Sequence, residues 1–128
     1  MSHKIVSTES APSAVGPYSQ GCIAGNLLFI SGQLPIDPDT GVMLTEDIGA
    51  ATSQCMKNIF AVLEAANKAA HLVKVTIFLT DMGLFEDVNK VYARFFDDAP
   101  PARSCIEVSG LPKNSSIEIE AIAVLPIE

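Results

Sequence analysis

The sequence predicts an α+β fold in which two helices cover one face of a β-sheet. Short segments rich in β-branched and apolar residues predict strands, and two longer segments with apolar residues every three or four positions predict helices. Their order along the chain is strands, helix, strand, helix, strands. A length of 128 residues is typical of a single domain, so one domain spanning residues 1–128 is expected.

The N-terminal part of the chain predicts three strands joined by a loop and tight turns. Residues 4–7 predict a short strand, and residues 8–17 are small, polar and interrupted by proline and glycine, which is typical of a loop. Residues 18–35 predict two strands about a turn at Ala24-Gly25-Asn26. The segment DPDTG at residues 37–41 predicts a further turn.

A first helix is predicted from Gly49 to about Ala70. Its apolar residues recur at spacings of three and four and define one face, formed by Cys55, Ile59, Val62, Leu63 and Ala66. Acidic Glu46 and Asp47 stand at its start, where the helix dipole favours negative charge. His71 is interpreted as a polar residue near the C-terminus of this helix.

The second half of the chain predicts one strand, one helix and two more strands. Residues 72–81 are β-branched and largely apolar, which favours a buried strand. Residues 84–96 predict a helix with one apolar face. Residues 102–109 and 115–125 predict two strands, joined by a turn at Gly110-Leu111-Pro112.

The composition favours an assembly of several subunits. Hydrophobic residues make up 48% of the chain and charged residues only 18%. The aliphatic segments 28–34, 73–79 and 117–125 supply more apolar surface than two helices of this size can cover. Because large exposed apolar patches usually mark contacts with other chains, a homo-oligomer is expected.

The charge balance argues against a nucleic-acid partner. The net charge is −7, and the eight lysines and arginines are scattered singly along the chain. Proteins that bind RNA or DNA usually present a basic patch that displaces counterions from phosphates. No segment reaches the length of a membrane-spanning helix, so no membrane partner is expected either.

The cysteines predict neither a metal site nor a disulfide framework. Cys22, Cys55 and Cys105 are far apart and odd in number. They are interpreted as buried, reduced thiols, which indicates a reducing compartment. Since the N-terminal residues lack the apolar core of a secretory signal, a cytoplasmic location is expected. No glycine-rich nucleotide-binding pattern is present, and no cofactor is predicted.

Arg103 is the strongest single candidate for ligand binding. It follows Pro100-Pro101, which would end the second helix and restrict the backbone, and it stands at the entrance of a predicted strand. A guanidinium is a planar fork that binds a carboxylate through two parallel hydrogen bonds. The structural alternative is an edge-strand charge paired with a neighbouring acid such as Glu107.

Glu118 and Glu120 are candidates for acid–base chemistry. Strand alternation places them on one face with Ile122 and Val124, away from Ile117, Ile119, Ala121 and Ala123. A carboxyl group among apolar side chains has a raised pKa, which suits a general acid. The alternative is that this part of the strand is simply solvated.

Three further residues have both a functional and a structural interpretation. Gly32 interrupts an apolar strand, and such a glycine often marks a bulge or the close approach of a ligand. The hydroxyl of Ser31 either lines a site or is satisfied by backbone groups at the strand end. Asn89, among apolar residues of the second helix, is either a site residue or a polar residue satisfied at the helix edge.

Four stretches of the chain resemble the RidA family, also called the YjgF/YER057c/UK114 family of reactive-intermediate deaminases. They are GPYSQG at 16–21, LFISGQLPIDPDTG at 28–41, VKVTIFLTD at 73–81 and PARSCIEVSGLPKNSSIEIEAIA at 101–123. The resemblance extends from about residue 3 to the C-terminus. The PARSC segment together with the EIEAIA strand is its most specific part.

The resemblance implies a fold, an assembly and an activity. The fold is like that of chorismate mutase, a mixed sheet with two helices on one face. Three subunits pack their free sheet faces into a barrel-like core, with ligand sites in the clefts between adjacent subunits. Members hydrolyse enamine and imine intermediates such as 2-aminoacrylate to 2-keto acids and ammonia, without a metal or another cofactor. The expected partners are therefore small 2-imino and 2-keto acids.

The same resemblance implies roles for individual residues. Arg103 would hold the substrate carboxylate, and Cys105 would contribute its backbone amide more than its thiol. Glu118 would handle the water or the proton. The pocket would be lined by Tyr18, Ser31 and Gly32, with Asn89 nearby.

Two departures from the family pattern and three alternative functions stay open at this point. The segment 97–100 is shorter than usual and Pro100 replaces a common aromatic residue, which affects the expected depth of the pocket. The segment AANKAAHL after the first helix lacks the usual Ala-Gly turn.

The alternative functions are a carboxylate-binding regulatory protein without turnover, a ribonuclease or translation inhibitor, and a chaperone-like holdase.

Overall fold

A mixed six-stranded sheet organises the computed structural model, which describes residues 3–127. Its elements are β1 Lys4–Val6, β2 Gly21–Ala24, β3 Leu27–Gln33, α1 Ile48–Ala66, β4 His71–Leu79, α2 Phe85–Ala93, β5 Ala102–Glu107 and β6 Ile117–Val124. The strands lie across the sheet in the order β1-β2-β3-β6-β4-β5. Met1, Ser2 and Glu128 lie outside the described residues, so the domain limits 1–128 stay a prediction.

The predicted α+β architecture is confirmed. Each predicted strand forms with ends shifted by a few residues, and the predicted turn at Gly25 joins β2 to β3. The β4–β5 pair is parallel and the other neighbouring strands are antiparallel, which makes the sheet mixed. The crossover between β4 and β5 contains α2, as a parallel connection requires.

The two faces of the sheet differ in what covers them. On β6, the alternation is as predicted, because Ile117, Ile119, Ala121 and Ala123 are buried beneath the helices. The opposite surface, here called the open face, carries partly exposed apolar side chains. Its apolar members on β3 to β6 include Leu27, Phe29, Phe78, Ile106, Ile122 and Val124. Phe29 is 42% exposed and Ile106 is 45% exposed.

Helix α1 begins where predicted but ends at Ala66 rather than near Ala70. The Asp47 side chain caps its start by accepting a hydrogen bond from the Gly49 amide at 2.8 Å. At the other end, Asn67 is extended, and its side chain accepts from the Ala69 amide at 2.8 Å. This local turn competes with helix continuation. His71 therefore opens β4 instead of standing at the helix end.

Helix α2 is shorter than predicted and is not ended by Pro100-Pro101. A 3-10 turn over Met82–Leu84 precedes it, and its last residue is Ala93. The amides of Arg94, Phe95 and Phe96 bond to carbonyl groups three residues back, so the helix tightens and ends before the prolines are reached.

A β-bulge lies in β3 at Ser31 and Gly32. Ile30 pairs with Ala121 and Gln33 pairs with Ile119, so two residues of β3 oppose the single residue Glu120. The extra residue lets both Ile30 and Gln33 point into the core, where they are 3% and 4% exposed. The predicted meaning of Gly32 as a bulge marker is thereby confirmed.

A buried amide side chain ties the predicted loop 8–17 to the sheet. Gln20 is 4% exposed, and its Oε1 accepts a hydrogen bond from the Thr8 amide at 2.7 Å. Its Nε2 donates to the carbonyl groups of Thr8, Ala11 and Pro12. The loop is thus held by one side chain, a role that sequence periodicity does not reveal.

The prediction of three buried thiols is right for Cys55 and wrong for the other two. All three cysteines are free, and Cys55 is fully buried in α1. Cys22 and Cys105 are half-buried. Cys22 pairs with Phe29 on the open face, and Cys105 belongs to β5, an edge strand, so each lies beside uncovered surface.

Candidate active site

Arg103 lies on β5 and points toward α2, on the helix-covered side of the sheet. Its neighbour across the parallel pair is Val75, which is buried. Its Nη1 donates a hydrogen bond to Oδ1 of Asn89 at 2.6 Å. The Cζ atom lies 5.4 Å from the centroid of the Phe85 ring and 5.0 Å from that of the Tyr92 ring. The guanidinium is therefore held by three side chains of one helix.

The alternative pairing of Arg103 with Glu107 does not occur. The Glu107 carboxylate instead accepts a hydrogen bond from the Met82 amide at 2.7 Å, at the start of the 3-10 turn. Asn89 is satisfied at the helix surface, as one interpretation expected, and its partner is the candidate ligand-binding residue itself. The polar group of Asn89 is therefore satisfied at the helix edge, and its role in a ligand site stays a prediction.

Cys105 presents its backbone at the free edge of the sheet. Just past the end of β5, the Val108 amide donates to the Leu79 carbonyl of β4 at 2.8 Å. Because amides alternate in direction along a strand, every second amide counted back from Val108 also points toward β4. The amides of Arg103 and Cys105 alternate with those and point away from β4, and β5 is an edge strand of the sheet formed by residues 3–127. Burial raises the pKa of the Cys105 thiol, and the nearby Arg103 charge opposes that shift.

A cavity of about 590 Å³ opens beside Arg103. Its walls are formed by Met82, Gly83, Phe85, Glu86, Arg103 and Cys105. The cation of Arg103, the exposed side chain of Met82 and the ring of Phe85 thus surround a space that a small organic acid could occupy. Residues 97–100 are absent from its walls, so the short segment there does not set the depth of this cavity in the described chain.

Glu118 lies on the open face of β6, next to Phe78 of β4. Burial raises the pKa of the Glu118 carboxyl group, and the charge of Glu120 two residues along raises it further. Glu118 is half-buried, whereas Glu120 is exposed. The expected desolvated carboxyl group is therefore present, and the solvated alternative describes Glu120.

A second cavity, of about 700 Å³, brings Glu118 together with the other predicted pocket residues. Tyr18, Ser31, Gly32, Glu118 and Glu120 all line it. The Ser31 hydroxyl donates to the Ser19 carbonyl, so it is satisfied by backbone as one interpretation expected. The hydroxyl oxygen keeps lone pairs that can accept a hydrogen bond.

Gly32 leaves room for the Glu118 side chain. A Cβ atom at residue 32 would come within 2.7 Å of Oε2 and 2.8 Å of Cδ of Glu118. The backbone of Gly32 does not have a positive φ, so a side chain is excluded by space rather than by conformation. Bulge and glycine together let the carboxyl group lie against β3.

Within one chain, the predicted residues form two separate groups. Arg103 and Cys105 line the cavity beside α2, with Asn89 bonded to Arg103, while Tyr18, Ser31, Gly32 and Glu118 line the second cavity. Arg103 is in register with Val75 on the helix side, and Glu118 is in register with Phe78 on the open face. Arg103 and Glu118, to which the family resemblance gives roles on the same substrate, therefore do not face one cleft inside a single chain.

Phe85 and Tyr92, whose rings contact Arg103, are not marked as candidate site residues by the sequence pattern. Both were predicted as members of the second helix, where aromatic residues usually pack in the core. A signal was available, since Phe85, Asn89 and Tyr92 are spaced by four and three residues and so share one helix face. Knowing which strand packs on that face requires the fold.

Two observations concern ligands and membranes. Among residues 3–127, no three His, Cys, Asp or Glu side chains are grouped as metal ligands would be. Within the same residues, no helix combines the length and apolar character needed to cross a bilayer.

The chain is similar to known proteins over nearly its whole length. Residues 8–125 match the family model described as Endoribonuclease L-PSP. The RutC family protein PH0854 of Pyrococcus horikoshii is 51% identical over 121 residues, which are 94% of this chain and 96% of that protein. The 2-iminobutanoate/2-iminopropanoate deaminase of Salmonella typhimurium is 47% identical over 125 residues, 94% and 97% of the two chains. The crystal structure of E. coli TdcF with bound serine superposes with a TM-score of 0.91 at 41% identity, over 96% and 99% of the two chains.

Proposed function

This chain belongs to the RidA (YjgF/YER057c/UK114) family, and on that premise we propose that it hydrolyses 2-imino acids, formed from enamines such as 2-aminoacrylate, to 2-keto acids and ammonia. The observation that carries the proposal is the guanidinium of Arg103, held by Asn89 at the edge of a cavity. The relative named as a 2-iminobutanoate/2-iminopropanoate deaminase supports the same reaction class.

Arg103 is proposed to bind the substrate carboxylate. Asn89 occupies Nη1, which leaves other N–H groups of the fork for a ligand. A carboxylate that accepts two of them is fixed in position and in plane, so the adjacent imine carbon is fixed as well. The serine bound to TdcF, itself an amino acid with a carboxylate, supports recognition of this ligand class.

Glu118 is proposed to manage the proton. Its carboxylate accepts a proton from water as the water oxygen bonds to the imine carbon, and the C=N electron pair moves to nitrogen. Glu118 then returns that proton to the nitrogen, which gives a neutral carbinolamine. Its carboxylate next takes the proton of the carbinolamine hydroxyl group and passes it to the amino nitrogen, so that the C–N bond breaks, the C=O bond forms and ammonia leaves. The raised pKa of Glu118 brings the carboxyl group closer to the neutral pH at which it would exchange protons.

The proposed site lies between two copies of the chain, because Arg103 and Glu118 belong to different cavities of one copy. The proposed assembly is a homotrimer in which the open faces pack against one another. The apolar side chains left uncovered on that face, including Leu27, Phe29 and Ile106, support such packing. Light scattering at micromolar concentration should give the mass of three chains, and the mass of one chain would contradict the assembly.

A coupled assay tests the proposed reaction. A pyridoxal-phosphate dehydratase converts serine or threonine to an enamine, and keto-acid formation is followed with and without this protein. We expect a clear acceleration by the wild type and none by Arg103→Ala. Binding of pyruvate without acceleration would instead favour a regulatory carboxylate-binding protein.

RNA cleavage is an alternative function, because the family that the chain matches is described as Endoribonuclease L-PSP. The net charge of −7 and the scattered basic residues do not favour it. Incubation of the trimer with labelled single-stranded RNA at low and high salt provides the check. Cleavage that persists in Arg103→Ala, together with no effect on the coupled assay, would replace the proposed function.

A further inference from the structure

Three side chains on one face of α2 surround the guanidinium of Arg103. Phe85, Asn89 and Tyr92 occupy positions i, i+4 and i+7, which lie in a line along a helix. Asn89 is neutral, and its Oδ1 accepts a hydrogen bond from Nη1 of Arg103 at 2.6 Å. Phe85 and Tyr92 present ring centroids at 5.4 and 5.0 Å from Cζ, within the range of cation–π contacts.

The guanidinium is close to both rings rather than to one of them. Seven residues rise about 10.5 Å along an α-helix. The two rings therefore belong to residues near opposite ends of α2, and both centroids lie within 5.4 Å of Cζ. This placement supports an arginine that is held by two aromatic contacts along the helix.

The ring of Tyr92, and not its hydroxyl group, makes the contact. Tyr92 is 5% exposed, and its hydroxyl has no hydrogen-bond partner among the described residues. Its ring also packs on Phe96 at 4.9 Å between centroids, which holds the ring in place. Phe85 is half-buried and also lines the cavity that Arg103 faces.

We propose that Phe85 and Tyr92 are positioning residues that hold Arg103 from two sides, an arrangement here called the aromatic clamp. The clamp keeps the planar fork in one orientation before the ligand arrives, with its unpaired N–H groups toward the cavity. Binding then loses less side-chain freedom, which favours affinity and alignment. The inference builds on the proposed function, since it specifies how the carboxylate-binding arginine of that site is held.

The test compares Phe85→Leu, Tyr92→Leu and Tyr92→Phe with a matched control. Phe95→Leu is the control, because Phe95 is a half-buried aromatic residue just past α2 that stacks on Phe60 instead of contacting Arg103. The readouts are the Arg103 Nε–Hε signal in an NMR spectrum, the dissociation constant of pyruvate, and KM and kcat in the coupled assay. The NMR signal senses the rings directly, which a general loss of stability would not mimic in a folded protein.

We expect both leucine variants to move the Arg103 signal and to weaken pyruvate binding by roughly threefold to thirtyfold, the range that cation–π contacts account for. KM should rise more than kcat falls. Tyr92→Phe keeps the ring and should stay within about twofold of the wild type, as should Phe95→Leu. Since Tyr92 is buried and its leucine variant could fail to fold, Phe85→Leu decides the question alone in that case.

The inference is overturned if the Arg103 signal and pyruvate affinity are unchanged in folded Phe85→Leu, or if Phe95→Leu has the same effect as the clamp variants. Failure of the proposed function gives a different pattern. In that case the wild type does not accelerate imine hydrolysis, while the NMR signal and pyruvate binding still respond to Phe85→Leu.

Discussion

The carboxyl group of Glu118 lies against the backbone of Gly32, so closely that a methyl group at residue 32 would come within 2.7 Å of Oε2. The two residues are on neighbouring strands, β6 and β3, at the bulge where Ser31 and Gly32 oppose Glu120. The position of the proposed proton-transfer group is thus determined by the absence of a side chain on the next strand.

Replacing Gly32 by alanine should displace Glu118 and slow turnover. The expected fall in kcat/KM is about tenfold to a hundredfold, because misplacing a reacting group by an ångström costs that order of magnitude. The variant should fold, since Gly32 needs no left-handed backbone conformation. Gly110→Ala is the control, as nothing lies within 4 Å of a Cβ atom there. Equal activity of Gly32→Ala and Gly110→Ala would contradict the placement.

Arg103→Lys should keep the charge but lose the fork. Hydrogen bonds to charged groups contribute roughly 1.5–3 kcal/mol each, so loss of one should slow turnover by about tenfold to a hundredfold. Arg103→Ala should abolish measurable acceleration. Both rates and the melting temperature are measured, with Arg94→Lys, an exposed arginine after α2, as the control. Near-normal turnover in Arg103→Ala would contradict the assignment, and a large fall in melting temperature would make Arg103 a structural residue.

Glu120→Gln should move the acidic limb of the pH profile of kcat/KM to lower pH. The charge of Glu120 is the second cause that raises the Glu118 pKa, so its removal makes ionisation of Glu118 easier. The Glu118 pKa should still stay above the ordinary value for an exposed glutamate, because burial is the larger cause of the shift and persists. The control is Glu64→Gln in α1, an exposed acid on the helix side. An unmoved limb, or an equal shift in the control, would show that Glu118 is not the titrating group.

Cys105→Ala should retain most of the activity, whereas Cys105→Pro should lose it. Alanine preserves the backbone amide that points to the free edge of β5, and proline removes it without breaking a hydrogen bond to β4. Rates are compared after circular dichroism and light scattering have established that both variants fold and assemble. Complete loss of turnover in a folded Cys105→Ala trimer would mean that the thiol takes part in the chemistry.

Mixing two inactive variants should restore activity. If Arg103 of one copy meets Glu118 of the next, a trimer with both Arg103→Ala and Glu118→Gln subunits contains one site in which both residues are intact. Co-refolded mixtures should then reach up to about a third of the wild-type rate. The separately refolded variants serve as the control. Absence of recovery in verified mixed trimers would place both residues in the same subunit's site.

Much of this architecture is readable from local patterns. The alternation of buried and half-exposed residues on β6 and the helical spacing in α1 each follow from one-dimensional periodicity. The helix ends do not, because α1 stops at a turn built by the Asn67 side chain and α2 tightens over Arg94 to Phe96. The spacing of hydrophobic residues does not indicate either helix end.

The candidate site shows the same division. Arg103, Glu118 and Gly32 could be selected from the sequence because residue type and strand context suggest chemistry. The separation of Arg103 from Glu118 could not be predicted, since it depends on which sheet face each strand presents. Phe85 and Tyr92 could not be assigned either, because their partner is 18 residues away on β5 in one case and 11 in the other.

The place of β6 has a consequence for how the molecule is made. This strand follows every other element along the described chain, yet it lies between β3 and β4 and is the only link between the β1-β2-β3 and β4-β5 halves of the sheet. A chain that has emerged only as far as Glu107 can form two small strand groups but not one sheet. Until residues 117–124 are available to pair, the facing edges of β3 and β4 keep unpaired backbone N–H and C=O groups, and such edges favour aggregation. Ribosome stalling before Ile117 should therefore yield protease-sensitive chains, and Glu118, carried on that last strand, enters the molecule only when the sheet closes.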